Sequence, residues 1–326
     1  MVERPRDWRD ARREGVDLDR HAARRLGGPT IVDAIRSGSL DAELAGLVWL
    51  LLDGGVPIVV AGPGLAAEAR SERRAALDAV LDLLPATRTL RPASGDDEDF
   101  AWMAGAETLG WRRSLPVSVP VANPTSTTIL AGELGGGPPA DLTGDRARLI
   151  VRAIGLGFGL AATAEAAGLE ELLALLRRRP IGLTDDELSN LGIVLVVDPS
   201  RLLEPHRPEA GPRFASAPKV VAAHYLRPLA RDVHGHPQRL PPAVLATWDP
   251  KIARFEHFAW GIAGELAQRL GRRTGDFELE RERRSAVLSG LAVADPGHAD
   301  RPDRTTIRAA LDRARLAELP GTGHRH

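Results

Sequence analysis

Residues 56–85 run VPIVVAGPGLAAEARSERRAALDAVLDLLP, and in this order they spell a strand, a loop and a helix. Val56 to Ala61 is short, apolar and β-branched, the composition of a strand buried on both faces. Gly62-Pro63-Gly64 breaks it with two residues free of side-chain constraint around a fixed one. Leu77, Val80, Leu81 and Leu84 then recur at i, i+3, i+4 and i+7, one apolar stripe of a helix that Pro85 terminates. Such a succession opens a βαβ unit.

The surroundings repeat the pattern. Upstream, Ser39 is placed to cap a helix with Asp41 and Glu43 in its first turn, running through Trp49 and Leu52 to Gly54-Gly55. Downstream, apolar runs at Thr87–Leu90, Thr127–Ala131, Phe158–Ala162 and Ile193–Val197 predict strands. Between them lie helical patterns at Gly144–Gly155 and Leu169–Arg177, and a helix capped by Thr184 with Glu187 three residues on. Alternating strands and helices predict an α/β fold with a mostly parallel sheet covered on both faces.

The pattern changes after Asp198. A loop rich in Pro, Arg and Glu (Leu203 to Pro218) leads to strands at Lys219–Leu226 and Val244–Trp248, then to a predicted helix with Phe255, Phe258, Ile262, Leu266 and Leu270 along one side. The chain thus divides into a charged arm (1–26), a main domain (27–200), a small C-terminal α+β subdomain (201–294) and a charged tail (295–326) with one helix around Thr305–Leu319.

Composition narrows the function classes. Forty-three Lys and Arg against 44 Asp and Glu give a formal charge of -1, so no global field favours nucleic acid or an anionic membrane. Cysteine is absent, which removes disulfides, thiolate catalysis and Cys-based zinc sites. The longest apolar run, Leu44 to Leu52, falls far short of the roughly 20 residues of a membrane span, and Arg4, Arg6, Asp7, Arg9 and Asp10 leave no apolar signal core. A cytoplasmic location without membrane insertion is expected. Lysine occurs only at 219 and 251, and the weight of Arg, Ala, Gly and Pro fits a GC-rich bacterial genome.

In a phosphate-binding loop, glycines let backbone amides cradle phosphate oxygens, a Lys reaches the β and γ phosphates, and a Ser or Thr hydroxyl holds Mg²⁺. Strand, Gly62-Pro63-Gly64 turn and helix are present here; the Lys and the hydroxyl are not. Lys219 and Lys251 are each followed by an apolar residue, so no relocated copy of the motif exists.

The chain resembles the ATPases of type II and type IV secretion and of type IV pili. The likeness covers about residues 27 to 200 and continues more weakly to about 290. It is carried by Pro29-Thr30-Ile31-Val32, by Ala61 to Gly64, by Ala131-Gly132-Glu133-Leu134 as a Walker B segment, and by Arg152 through Thr163 leading into a Thr-x-His-Ala box. The resemblance implies a RecA-like P-loop NTPase core, ATP and Mg²⁺ as cofactors, a hexameric ring and a secretion or pilus membrane platform as partner. It places Gly62, Pro63, Gly64, Arg73, Arg74, Thr163 and Glu165 at the nucleotide, with Glu133 and the acids Glu98 and Asp99 (in the run Asp96 to Asp99) as the catalytic set.

Three elements depart from that family. Arg73 and Arg74 fall where the Lys and Ser/Thr belong, and Arg73 lies eleven positions after Gly62 where the motif asks for six, so the loop is lengthened as well as substituted. Glu165 replaces the box histidine, and Gly135-Gly136 replace charged residues after Glu133. The family's N-terminal domain is short or missing.

Arginine grips phosphate but cannot coordinate Mg²⁺, and Glu68 and Glu72 add negative charge nearby, which disfavours ATP in the usual pose. The expectation is a degenerate homologue acting in assembly or regulation. The alternatives are an active ATPase using Arg73 and Glu133, and an α/β binding module for another small ligand above Gly62. His234-Gly235-His236, with His224 and His257, lacks the carboxylates a metal site would add, and Trp248, Phe255, Phe258 and Trp260 suit core packing more than a partner surface.

Overall fold

The computed structural model describes residues 28–93, 98–112, 120–137, 140–198, 218–231, 234, 236–293 and 303–317. Strand β1 (Ile58–Gly62) lies inside a nine-stranded sheet. Ile58 and Val60 enter the core on one face while Val59 and Ala61 enter the core on the other. Burial on both sides is why the segment is uninterrupted in its apolarity.

Four further strands run parallel with it: β2 (Thr89–Ala93), β3 (Thr127–Gly135), β5 (Gly159–Glu165) and β6 (Ile193–Asp198). The short β4 (Leu142–Thr143) also pairs parallel, beside the end of β3. Their spatial order is β6-β1-β5-β3-β2, so β1 lies between β6 and β5, and β5 separates it from β3. The mixed α/β fold with a large, mostly parallel sheet is as the sequence pattern predicts.

One face carries α1 (Ile31–Arg36), α2 (Ala42–Asp53) and α3 (Ala67–Val80); the other carries α4 (Gly144–Ala153) and α5 (Leu169–Arg177), which the short α6 (Asp185–Leu188) adjoins. The helix capped by Thr184 forms, and Glu187 closes its capping box. Ser39 is not the cap of α2. Asp41 takes that place and accepts from the Leu44 amide at 2.8 Å, because its carboxylate sits at the turn where the amides are free.

Beyond residue 218 the sheet continues. Strand β7 (Lys219–Tyr225) pairs antiparallel with β6, β10 (Ala243–Asp249) with β7, and β11 (Arg254–His257) with β10, while β8 (Ala230–Arg231) and β9 (Pro237–Gln238) form a separate hairpin. The C-terminal strands therefore extend the main sheet, and their apolar residues Val220, Tyr225 and Leu245 share a core with α2. The helix expected through Phe255 and Phe258 is a correction. Arg254–His257 is a strand, a 3₁₀ turn follows at Ala259–Ile262, and helix begins only with α7 (Ala263–Arg269). Pairing with β10 overrides an apparent helical period.

Two helices close the structure, α8 (Thr274–Val293) and α9 (Arg304–Ala317), the latter matching the helix expected around Thr305–Leu319 in the charged tail. α9 docks through Ile307 and Leu311, both fully buried. The arm 1–26, Asp96 and Asp97 of the acidic run, and residues 203–217 of the Pro-rich loop lie outside the described residues. Among the described residues no helix is long and apolar enough to cross a membrane.

His257 on β11 ties that edge to the start of α2, its Nε2 2.8 Å from Asp41 Oδ2. Burial and the nearby Arg281 oppose its protonation, but the Asp41 hydrogen bond and the charges of Asp41 and Glu43 outweigh them and raise the pKa above 6.5. A raised folded-state pKa contributes stability that is complete below the unfolded value and is lost as pH rises through the folded one. The protein is therefore expected to lose the stability this contact contributes as pH rises from mildly acidic to mildly alkaline. Chemical denaturation at a series of pH values checks this, and His257→Gln should remove that part of the slope.

Candidate functional site

All the parallel strands end at one edge of the sheet, where ligands of open α/β folds gather, at points where the helices after adjacent strands leave to opposite faces. β1 and β5 meet this condition: α3 leaves β1 for one face and α5 leaves β5 for the other. The loop Gly62 to Ala66 lies here, and Gly64 turns it with φ +96°, a conformation that suits glycine. A Cβ on Gly62 would press against Val197 and the Arg73 side chain, so the loop is packed down onto β6. α3 then starts at Ala66 with no side-chain cap.

Arg73, in the second turn of α3, fills the space under the loop and is 1% exposed. Its Nη1 donates to the carbonyls of Gly62 (2.9 Å), Pro63 (3.1 Å) and Gly64 (2.9 Å). Its Nε donates to Glu133 Oε2 at 3.2 Å, and Nη2 bonds Glu133 Oε1, completing a bidentate pair. The hydroxyl of Thr163 donates to the same Oε2 at 3.1 Å. Glu133 and Thr163 are themselves 5% and 3% exposed and lie opposite each other on β3 and β5.

The polarity of this loop is the reverse of a phosphate cradle. Where amides would converge on an anion, three carbonyl oxygens converge on a cation supplied by the chain itself. Both oxygens of Glu133 are engaged by Arg73 and Thr163, so this carboxylate has already found its counter-charge. The arrangement is a closed ion pair that can stitch loop, helix and two strands together.

Of the residues singled out in the sequence, Gly62, Pro63, Gly64, Arg73, Glu133 and Thr163 come together. Glu165 ends β5 directly across from Gly62. Arg74 turns away and pairs with Asp78 along α3, Nε to Oδ1 3.3 Å. Glu98 and Asp99 are occupied with their own turn: Glu98 accepts from the Phe100 amide (2.9 Å) and Trp102 Nε1 (3.2 Å), and Asp99 from the Ala101 amide (2.9 Å). Burial raises the Glu98 pKa, against those hydrogen bonds and helped by Asp99. Burial also raises Glu72 beside the loop, with Arg73 opposing and Glu68 assisting.

Asp141 was not anticipated. Its carboxylate accepts from the Glu133 amide at 3.1 Å and occupies the space where a Cβ on Gly132 would stand, so the small residue before Glu133 is the only trace of it in the sequence. Arg73 carried a clearer signal: it sits four residues before Leu77 and seven before Val80, on the buried stripe of α3, where a charge needs a partner. His224 and His257 lie on β7 and β11, and among the described residues no group of three or more His, Asp or Glu could hold a metal ion. No protein-family model matches this chain, and no curated protein matches its sequence.

Proposed function

We propose that this chain is a non-hydrolysing relative of the secretion and pilus motor ATPases, a RecA-like core retained as an assembly or regulatory component. What supports the ancestry is a strand, glycine loop and helix at the β1/β5 switch point, with an acid near the end of β3 one strand away. What supports the loss of activity is a single observation, the Arg73 guanidinium held by three loop carbonyls and by Glu133.

Phosphoryl transfer needs groups free to neutralise the phosphates and to orient water. A triphosphate entering this loop would meet carbonyl dipoles in place of amides, and the cation beneath it, Arg73, is committed to Glu133. Using Arg73 for phosphate and Glu133 for water would first require breaking a buried bidentate pair, which weighs against an active enzyme. Mg²⁺-dependent ATP turnover by the purified full chain tests this. None above the buffer rate is expected; turnover abolished by Glu133→Gln would overturn the proposal.

A further inference from the structure

β11 is the last strand of the sheet, and among the described residues no strand pairs with its outer edge. Its side chains alternate. Phe255 turns inward against Trp248, ring centroids 5.2 Å apart, and His257 turns inward to Asp41, whereas Arg254 and Glu256 are exposed. Among the described residues no ion pair or side-chain hydrogen bond engages Arg254 or Glu256. Large apolar side chains are exposed at both ends of the strand: Ile252 (57%) before it, and Phe258 (40%) and Trp260 (72%) after it.

An exposed strand edge invites pairing, and proteins commonly blunt it with like charges, proline or a bulge. Here the two charges have opposite sign and flank Phe255 symmetrically. A two-fold axis through Phe255 would set a second copy of β11 antiparallel to the first. Arg254 would then face Glu256 of the second copy, and Glu256 would face Arg254 of the second copy. Ile252 lies in the turn before the strand, where Ala253 has φ +51°, and Phe258 and Trp260 follow its end, so these apolar side chains border the charged pairs without sharing their register. An isologous interface requires such self-complementarity, and Arg254-Phe255-Glu256 has it within the strand.

We infer that β11 is the contact of a homodimer, in which two copies of this chain join edge to edge and their sheets become continuous. This stands independently of whether nucleotide binds. The occupant is a second copy because the two charges of the edge, Arg254 and Glu256, find their complements in the same edge turned round.

Sedimentation or light scattering of the full chain over a concentration series tests it, with circular dichroism to check that variants remain folded. The wild-type chain is expected to dimerise. Arg254→Glu and Glu256→Arg, both at exposed positions, should each weaken the dimer by about tenfold or more, and the double charge swap should restore it. Since the chain has no cysteine, Arg254→Cys and Glu256→Cys chains should form a disulfide when mixed and far less when alone. A monomer at the highest soluble concentration, or a dimer indifferent to both charge reversals, would overturn the inference.

Discussion

Arg73→Ala is expected to lower the unfolding free energy by about 3–5 kcal/mol, and Glu133→Ala by a similar amount. Each leaves the other charge buried in a site built for the pair. Without Arg73, Glu133 keeps only the Thr163 hydroxyl and its backbone surroundings, and the carbonyls of Gly62, Pro63 and Gly64 lose their common donor. Without Glu133, a guanidinium that is 1% exposed retains carbonyl dipoles but no counter-charge.

The decisive comparison is the double variant. Arg73→Met with Glu133→Leu removes both charges while keeping most of the volume, so it should cost less than the sum of the single changes and less than either alone. Urea denaturation followed by circular dichroism of Arg73→Met, Glu133→Leu and the double variant measures the coupling. Additive losses would mean that the two side chains act independently.

The second large effect is expected at Asp53, the last residue of α2. Two arginines converge on it from different helices. Arg284 of α8, 1% exposed, places Nη1 2.8 Å from Asp53 Oδ2, close enough for an ion pair though not angled for a hydrogen bond, and Nη2 donates to Glu280 at 2.7 Å. Arg315 of α9 donates to Asp53 Oδ1 from Nη2 at 3.0 Å. Both guanidiniums also approach the buried Trp49 ring, at 4.7 and 5.2 Å from its centroid.

Asp53→Ala removes the carboxylate the two arginines share, leaving Arg284 with Glu280 and Arg315 with Asp312, and should cost about 3 kcal/mol. Arg284→Ala should approach that figure, and Arg315→Ala should cost clearly less because its side chain is 15% exposed and water can replace part of its contacts. Thermal and chemical denaturation give the ranking. Equal losses for Arg284 and Arg315 would show that burial does not set the scale.

The central strands were legible because burial on both faces leaves an unbroken apolar run, as at Ile58–Gly62 and Ile193–Asp198. The helices with a capping box or a clear stripe, such as α5 and α6, were equally plain. β11 was hidden because Phe255, Phe258, Ile262 and Leu266 mimic a helical period, and only the antiparallel partner distinguishes the two. α9 was legible as a helix around Thr305–Leu319, but its docking was not, because only two buried residues, Ile307 and Leu311, secure a surface otherwise dominated by arginine and aspartate.

At the site, the identities of Gly62, Glu133, Thr163 and Arg73 were visible, but their mutual contact was not. Which strands stand beside β1 depends on pairing across more than a hundred residues, and no local pattern carries that. Arg74, adjacent in sequence to Arg73, illustrates the limit: one position along a helix turns a side chain by about 100°, from the loop to Asp78.

Calorimetric titration of the full chain with ATP, in the presence and absence of Mg²⁺, tests most directly whether Arg73 has closed the loop to phosphates. Binding weaker than about 1 mM, and indifferent to Mg²⁺, is expected. Micromolar affinity that depends on Mg²⁺ would contradict it, since that would require the loop to release Arg73 and turn its amides to the ligand.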